Sequence, residues 1–361
     1  MKSLKILLAA CLLCSVMPLF AQQTKVLTAD KHNDYGLVYS LPLTGLKIKV
    51  QATKETRKAG PYWQYAKKFL GISNVVKEDA TSYSVKEIEA HTVGLCDDTI
   101  QYLMQFKPGA VVFIEVDPNG MLRSINCPAT PLPAEKDVTR ITQGGNPPAS
   151  VDDYLQYVDM DFISSQSSIK QAEMIAASLM EVREAYISLT RGTADNMPTD
   201  GRQLELMLNS LKQQESALTR AFTGTTFPET VEKEFLYIPE EEGTEVLFRL
   251  SDFNGFVEPD DYSGVPVYIT TEVMLQGELP LDDAGVEKKI PKDAVIYAIP
   301  GVAKISVSCG DSVFFESESE YSQFGTRFGL NPLLFSDKKE RSFARFDPAT
   351  GALLELGIVK E

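Results

Sequence analysis

The chain has 361 residues, of which 43% are hydrophobic and 24% charged, and its formal net charge at pH 7 is −15. An acidic balance of that size repels nucleic-acid phosphates and anionic lipid surfaces, so neither is expected as a partner. Two histidines and five cysteines leave little material for a histidine-based metal centre or a disulfide-dense scaffold.

Lys2 and Lys5 precede an apolar run over 6–20 that ends at Ala21, the layout of a secretory signal peptide cut before Gln22. A rival reading is a lipoprotein signal, because Leu8-Ala9-Ala10-Cys11 has the residues of a lipobox. Only Ile6 to Ala10 would precede Cys11 as apolar core, which favours ordinary export over lipid anchoring. Losing 1–21 would remove two of the 35 basic residues and none of the 50 acidic ones. No later stretch is long and apolar enough to span a bilayer, so no transmembrane segment is expected. Three cysteines would remain: Cys96 and Cys127 are the expected disulfide pair, and Cys309, sharing a strand face with Ile305 and Val307, is expected as a buried small hydrophobe.

Along the chain, 46–52 (LKIKVQA) alternates apolar and polar residues, the signature of a half-buried antiparallel strand. Gly60-Pro61 opens a short helix through Phe69, which Gly71 stops. Strands are predicted near 81–95, 99–106 and 111–116, followed by a linker or surface excursion over 128–150 with five prolines and Gly144-Gly145. The period then changes to that of a helix. Ile169, Ala172, Ile175, Ala176, Leu179, Val182, Tyr186 and Leu189 form one stripe; Leu204, Leu208, Leu211, Leu218 and Phe222 form another. Gly192 ends the first helix and Thr199 or Asp200 caps the second, so an antiparallel helical hairpin is predicted. From Phe227 onward the strand pattern returns, with further strands at 265–275, 294–299, 302–309, 312–317 and 342–346.

Two passages nearly repeat. Residues 111–126 (VVFIEVDPNGMLRSIN) and 342–357 (SFARFDPATGALLELG) each enter Asp-Pro, turn through a Gly and leave on Leu, a hairpin signature. A weaker echo relates Tyr39-Ser40-Leu41-Pro42 to Leu236-Tyr237-Ile238-Pro239. Together they point to an internal duplication. The expected fold class is α+β with β dominant: two related antiparallel β modules, sandwich- or barrel-like, with an inserted antiparallel helical hairpin. The expected division is a signal peptide at 1–21, an N-terminal β module with one short helix at 22–135, linker plus hairpin at 136–225, and a C-terminal β module at 226–361.

The pattern resembles the exported bacterial family catalogued as domain of unknown function 4831. The residues that carry the resemblance are Leu41-Pro42 leading into LKIKV, Gly60-Pro61-Tyr62, Tyr65-Ala66…Phe69-Leu70-Gly71 and Arg191-Gly192-Thr193-Ala194-Asp195. Tyr297…Ile299-Pro300-Gly301, Gln323-Phe324-Gly325 and Phe346-Asp347-Pro348…Thr350-Gly351 complete it. These are turns and caps, so the resemblance offers no functional residues to carry over; what it implies is a location in the periplasm or outer cell envelope.

Chemistry-bearing patterns are sparse. His32 and His91 lack regularly spaced partners, and GxSxG, GxxxxGK[ST] and GxGxxG do not occur. No catalytic set and no cofactor is assigned. The segment 252–262 (DFNGFVEPDDY) offers Asp252, Asn254, Glu258, Asp260 and Asp261 as hard oxygen ligands, a calcium-like candidate outside the EF-hand pattern; a solvated acidic loop is the alternative. Tyr62, Trp63 and Tyr65 could stack on a ligand, and on a short helix such aromatics also anchor that helix to its neighbours. The expected function is therefore an exported, non-catalytic binding or scaffolding module for a peptide, glycan or envelope protein. The alternative is a carboxylate-dependent hydrolase acting on glycan or peptidoglycan.

Overall fold

The computed structural model describes residues 36–105, 112–131, 149–198, 200–291, 293–336 and 341–359. The expected leader, Cys11, His32 and most of the Pro-rich stretch at 128–150 lie outside them. From Leu37 on, the chain is one compact unit. Its elements run β1 (Gly36–Lys58), α1 (Ala66–Leu70), β2 (Ala80–Gln105), β3 (Ile114–Val116), β4 (Leu122–Ile125), α2 (Met160–Ser164), α3 (Ser168–Arg191) and α4 (Gly201–Thr223). Then follow β5 (Thr225–Tyr237), β6 (Gly243–Ser251), β7 (Gly255–Val257), β8 (Val265–Leu275), β9 (Val295–Cys309), β10 (Ser312–Leu330), α5 (Leu333–Ser336), β11 (Ser342–Phe346) and β12 (Leu353–Ile358). The fold is α+β and β-rich, with three antiparallel sheets in the orders β2-β1-β5, β10-β9-β8-β6-β7 and β12-β11-β4-β3.

Three cores follow from the sequence pattern. The alternating side chains Leu46, Ile48, Val50 and Ala52 of β1 face Phe248, Val267, Ile269, Ile305 and Val307, so the first two sheets close as a sandwich. The N-terminal part of β1, Tyr39 and Leu41, enters a different core with Leu122, Ile125, Val295, Ala344 and Phe346 beneath the third sheet. The apolar stripes of α3 and α4 meet in a third core with α1, α2 and Tyr154. Of the stripe positions read from the 3.6 period, Ala172, Ile175, Ala176, Leu179 and Leu189 in α3 and Leu218 and Phe222 in α4 are buried, whereas Ile169 is exposed and Val182, Tyr186, Leu204, Leu208 and Leu211 are half-buried. Gly192 (φ +71°) closes α3, and the Asp200 carboxylate accepts from Arg202 N–H at the start of α4.

Several strands are longer than the sequence implies. β1 covers 36–58 instead of 46–52, and the stretches expected at 81–95 and 99–106 are one strand, β2. Those at 294–299 and 302–309 fuse across Pro300-Gly301 into β9. The physical reason at Pro300-Gly301 is a bulge. Tyr321 of β10 pairs with Gly301 and Thr326 with Ile299, so residues 322–325 loop out opposite Pro300. The backbones there are in contact: a Cβ on Gly325 would lie 2.0 Å from Ile299 O, and one on Gly301 2.3 Å from Phe324 O. The Pro300-Gly301 and Gln323-Phe324-Gly325 motifs are thus two sides of one bulge.

The two Asp-Pro hairpins, β3–β4 and β11–β12, stand side by side in the third sheet, joined by β4 pairing with β11. Each Asp organises its own turn. Asp117 Oδ1 accepts from the N–H groups of Asn119 and Met121, and Asp347 Oδ1 from those of Ala349 and Thr350. Each hairpin also docks through its turn glycine onto a long strand. Gly120 O accepts from Ser40 N–H of β1 and Gly351 O from Ala298 N–H of β9, both at 3.0 Å. The partner segment in the second docking is Tyr297-Ala298-Ile299-Pro300, rather than the Leu236-Tyr237-Ile238-Pro239 that the sequence echo singled out. Strand pairing also runs between the two β-rich stretches, since Leu46–Lys58 of β1 pairs with β5.

The expected Cys96–Cys127 disulfide is absent: none of the three described cysteines is oxidised to a disulfide. The Cys96 thiol donates to Asn119 O at the turn of the β3–β4 hairpin, whereas the Cys127 thiol lies beyond the other end of β4 and donates to Ala344 O. The length of a strand separates them. Cys309 is only partly buried and packs on the sandwich core, as its strand face implies.

Gly325→Ala should lower unfolding stability by about 3 kcal/mol, because the added methyl meets backbone that cannot yield. Urea unfolding of both proteins would measure the difference; a loss under about 1 kcal/mol would mean that the bulge adapts.

Candidate functional site

The junction between the helices and the sandwich carries a sizeable concavity. α4 ends in unpaired carbonyls, and the connector between β1 and β2 wraps its end to satisfy them. Ala221 O accepts from Tyr62 N–H at 2.9 Å and Thr223 O from Val76 N–H at 3.0 Å; Arg220 O accepts from Gly224 N–H. Gly224 (φ +74°) is required here, since a Cβ would lie 2.4 Å from Lys58 O. The far end of the connector is pinned by Asp79, which takes a hydrogen bond from Ala59 N–H (2.9 Å) and an ion pair from Lys58 Nζ (2.7 Å). These bonds, that of Lys58 foremost, hold the exposed Asp79 carboxyl below its ordinary pKa.

Between this strap, the end of β1 and the start of β5 lies a cleft of about 650 Å³. Its polar lining includes Arg57, Glu55, Asn74, Lys77, Glu78 and Thr226, with the Gly224 backbone beside them. Arg57 is paired with Glu55 on the β1 wall. Both charge signs face one space. A second cleft of about 410 Å³ lies against α4, lined by Asp153, Lys212, Ser216 and Arg220 among others; Arg220 there holds Asp153 at 2.9 Å.

The aromatic candidates sit on the other side of the strap. Tyr62 is 6% exposed, packs edge-on against Tyr154 and Phe162, and donates its hydroxyl to Gln171 Oε1. Burial raises its phenol pKa far above the usual value. Trp63 and Tyr65 are half-buried on the same turn; Tyr65 leans on Phe69 and shares a hydrogen bond with Ser168 Oγ. The three rings therefore belong to one element, of which Tyr62 is the member engaged in the helical core.

The oxygen candidates fall on two successive loops. Asp252 and Asn254 lie on the β6–β7 turn, and Glu258, Asp260 and Asp261 on the β7–β8 loop. Arg249 organises the second loop: it donates to Pro259 O (2.8 Å) and Gly264 O and stacks on Tyr262 at 4.6 Å. Asp261 Oδ1 accepts from Ser263 N–H, which lowers its pKa, and Glu258 lies 3.8 Å from Lys233 Nζ. Among the described residues no group of three or more His, Cys, Asp or Glu side chains is disposed to hold a metal ion. His91 is exposed.

Sequence reasoning did not single out the cleft. Glu55, Arg57, Lys77 and Glu78 form no local pattern, and only the docking of 71–80 onto the end of α4 brings them together. Among the described residues no helix is long and apolar enough to cross a membrane.

With the geometry in hand, comparison with known families gives one match. The family described as Domain of unknown function (DUF4831) matches residues 35–354, and the chain belongs to that family. No curated protein and no solved structure matches the chain.

Asp79 supplies a pH test of the strap. Its folded pKa is lowered, so its stabilising contribution is complete above the ordinary carboxylate pKa of about 4 and disappears as pH falls through the lower folded value. Asp79→Asn should therefore flatten the acid limb of the melting-temperature profile below about pH 4, relative to the unsubstituted chain. Superimposable acid limbs would mean that Asp79 does not pin the connector.

Proposed function

We propose that the protein is an exported cell-envelope component that works by binding, with the cleft at the end of α4 as its ligand seat. The observation that carries this reading is the lining of the cleft: paired and unpaired charges of both signs, an amide and backbone polar groups around about 650 Å³. That volume lies within the range of small-molecule and peptide sites. Its mixed polarity suits a short peptide or a glycan unit, whose own hydroxyls, amides and charges need several partners in fixed places. The same polar seat would accept a loop from another envelope protein.

Hydrolysis of glycan or peptidoglycan by carboxylates is the second reading. A general acid needs a raised pKa, and the carboxylates with shifted titration, Asp79 and Asp261, are pushed the opposite way. Neither of them lines the cleft. Export itself rests on the Lys2/Lys5, apolar and Ala21 pattern of the leader. We also read the two β-rich stretches as descendants of one ancestral unit, supported by the matching docking bonds of Gly120 on Ser40 and Gly351 on Ala298.

The protein isolated from cell envelopes should begin at Gln22 by mass spectrometry; a retained leader would contradict export. Screened against peptide and glycan arrays, it should give hits that the double variant Arg57→Ala, Lys77→Ala weakens at least about tenfold, the loss of two charge-assisted contacts, with an unchanged melting curve. Hits indifferent to that variant would place the seat elsewhere. Release of reducing ends or muropeptides would favour the hydrolase.

A further inference from the structure

Open sheets leave edges whose unpaired N–H and C=O groups can capture another strand, and proteins blunt them with brevity, charge or proline. Five of the six edges among the described residues follow that rule. β3 and β7 have three residues each. β10 carries Glu316, Glu318 and Glu320; β2 carries Lys86, Glu87 and Glu89; β5 carries Pro228, Glu229, Glu232 and Glu234.

β12 is different. Its six residues read LLELGI, with no proline and one charge, Glu355, which Arg345 holds at 2.6 Å; a β-bulge at Leu354 is its one blunting device. Leu354, Leu356 and Ile358 are 55%, 45% and 57% exposed. Leu356 pairs with Ala344, which is fully buried in the third-sheet core, so Leu356 lies on the core-side face and extends that core to the open edge. The opposite face is complete, because the Phe343 ring covers Gly357, where a Cβ would lie 2.7 Å from the ring.

The ladder fixes which backbone groups are unused. Val359 N–H donates to Arg341 O at 2.8 Å. Hydrogen-bonded and non-bonded pairs alternate in an antiparallel ladder, so 343/357 and 345/355 also bond inward. In the intervening pairs, 342/358 and 344/356, the N–H and C=O of Leu356 and Ile358 point away from β11, toward the free edge.

From these facts we propose that β12 docks a second copy of this chain, by two-fold antiparallel pairing centred on Leu356. The strand is self-complementary in that register. Leu356 faces Leu356 of the partner subunit with both sets of backbone groups aligned, and Ile358 falls opposite Leu354 of the partner subunit, the bulged residue between the 345/355 and 346/353 pairs, where regular pairing ends. Glu355 falls opposite Gly357 of the partner subunit, so no like charges meet. A two-fold axis of this kind closes the assembly at two chains. It would turn the four-stranded sheet into a continuous eight-stranded one, with the apolar face of each edge covering the other.

The test is sedimentation of the mature chain over a concentration series, with Leu356→Lys and Ile358→Lys as separate variants and hydrogen exchange of the 353–359 peptide as a second measurement. The expected result is a monomer–dimer equilibrium whose dissociation constant rises at least tenfold in each variant while the melting curve of the monomer is retained. The Leu356 and Ile358 amides should also become protected as concentration rises. If a variant misfolds, the exchange of the unsubstituted chain alone decides. A chain that is monomeric throughout, a dimer indifferent to both substitutions, or an edge that stays unprotected at high concentration overturns the proposal. Protection seen only in the presence of a different protein overturns it as well.

Discussion

The side chain of Thr44 holds three parts of the molecule together. It is fully buried where β1 passes from the third-sheet core into the sandwich. Its hydroxyl donates to Ala349 O in the second Asp-Pro turn at 2.9 Å and accepts from Ser322 N–H in the β10 bulge at 3.1 Å. Gln323 completes the junction, donating to Thr44 O and to Pro239 O in the β5–β6 link, while Ser322 Oγ donates to Pro42 O. Buried polar groups of this density stabilise only if each finds its partner, so β1, the bulge, the hairpin turn and the link must arrive together. Tyr39 adds a second tie of the same kind, its hydroxyl bonding both the N–H and the C=O of Ile296 in β9. Burial keeps that phenol protonated far beyond its usual pKa.

This junction explains the layout of the whole chain. Because β1 is fixed at Thr44, its C-terminal half runs through the sandwich and delivers Arg57 and Lys58 to the base of the helices. The connector that follows can then cap α4, and the cleft is the space left between cap and sheet. The cleft is a by-product of satisfying a helix terminus, built from backbone bonds that are insensitive to the charges they bring together.

The sequence was informative where one periodicity or one turn decides the outcome. The stripes of α3 and α4, the caps at Gly192 and Asp200, the alternation of 46–52 and the two Asp-Pro turns all act within a few residues, and each is found in place except at the start of each stripe, where Ile169 is exposed and Leu204, Leu208 and Leu211 are half-buried. What escaped reading depends on distant partners. Pro300-Gly301 looks like a strand break until the 322–325 bulge opposite it is known, and Leu236-Tyr237-Ile238-Pro239 looks like the match for Tyr39-Ser40-Leu41-Pro42 until Ala298 is found in the equivalent docking bond. The Cys96–Cys127 pairing followed from counting cysteines in an oxidising compartment, which carries no information on the strand that separates them. The cleft residues gave no signal, since four surface charges on two segments have no local pattern.

The central claim is that these junctions make Leu37–Glu361 one cooperative body. Trp63, the only tryptophan, is half-buried on the turn beside Tyr62 of the helical core, and far-ultraviolet circular dichroism is dominated by helix and strand together, so guanidinium unfolding can be followed at both levels in one sample. The account predicts coincident transitions with one midpoint. A tryptophan transition that precedes the loss of strand signal would mean that the helical hairpin and its strap unfold on their own, and the interdependence argued from Thr44 to α4 would fail.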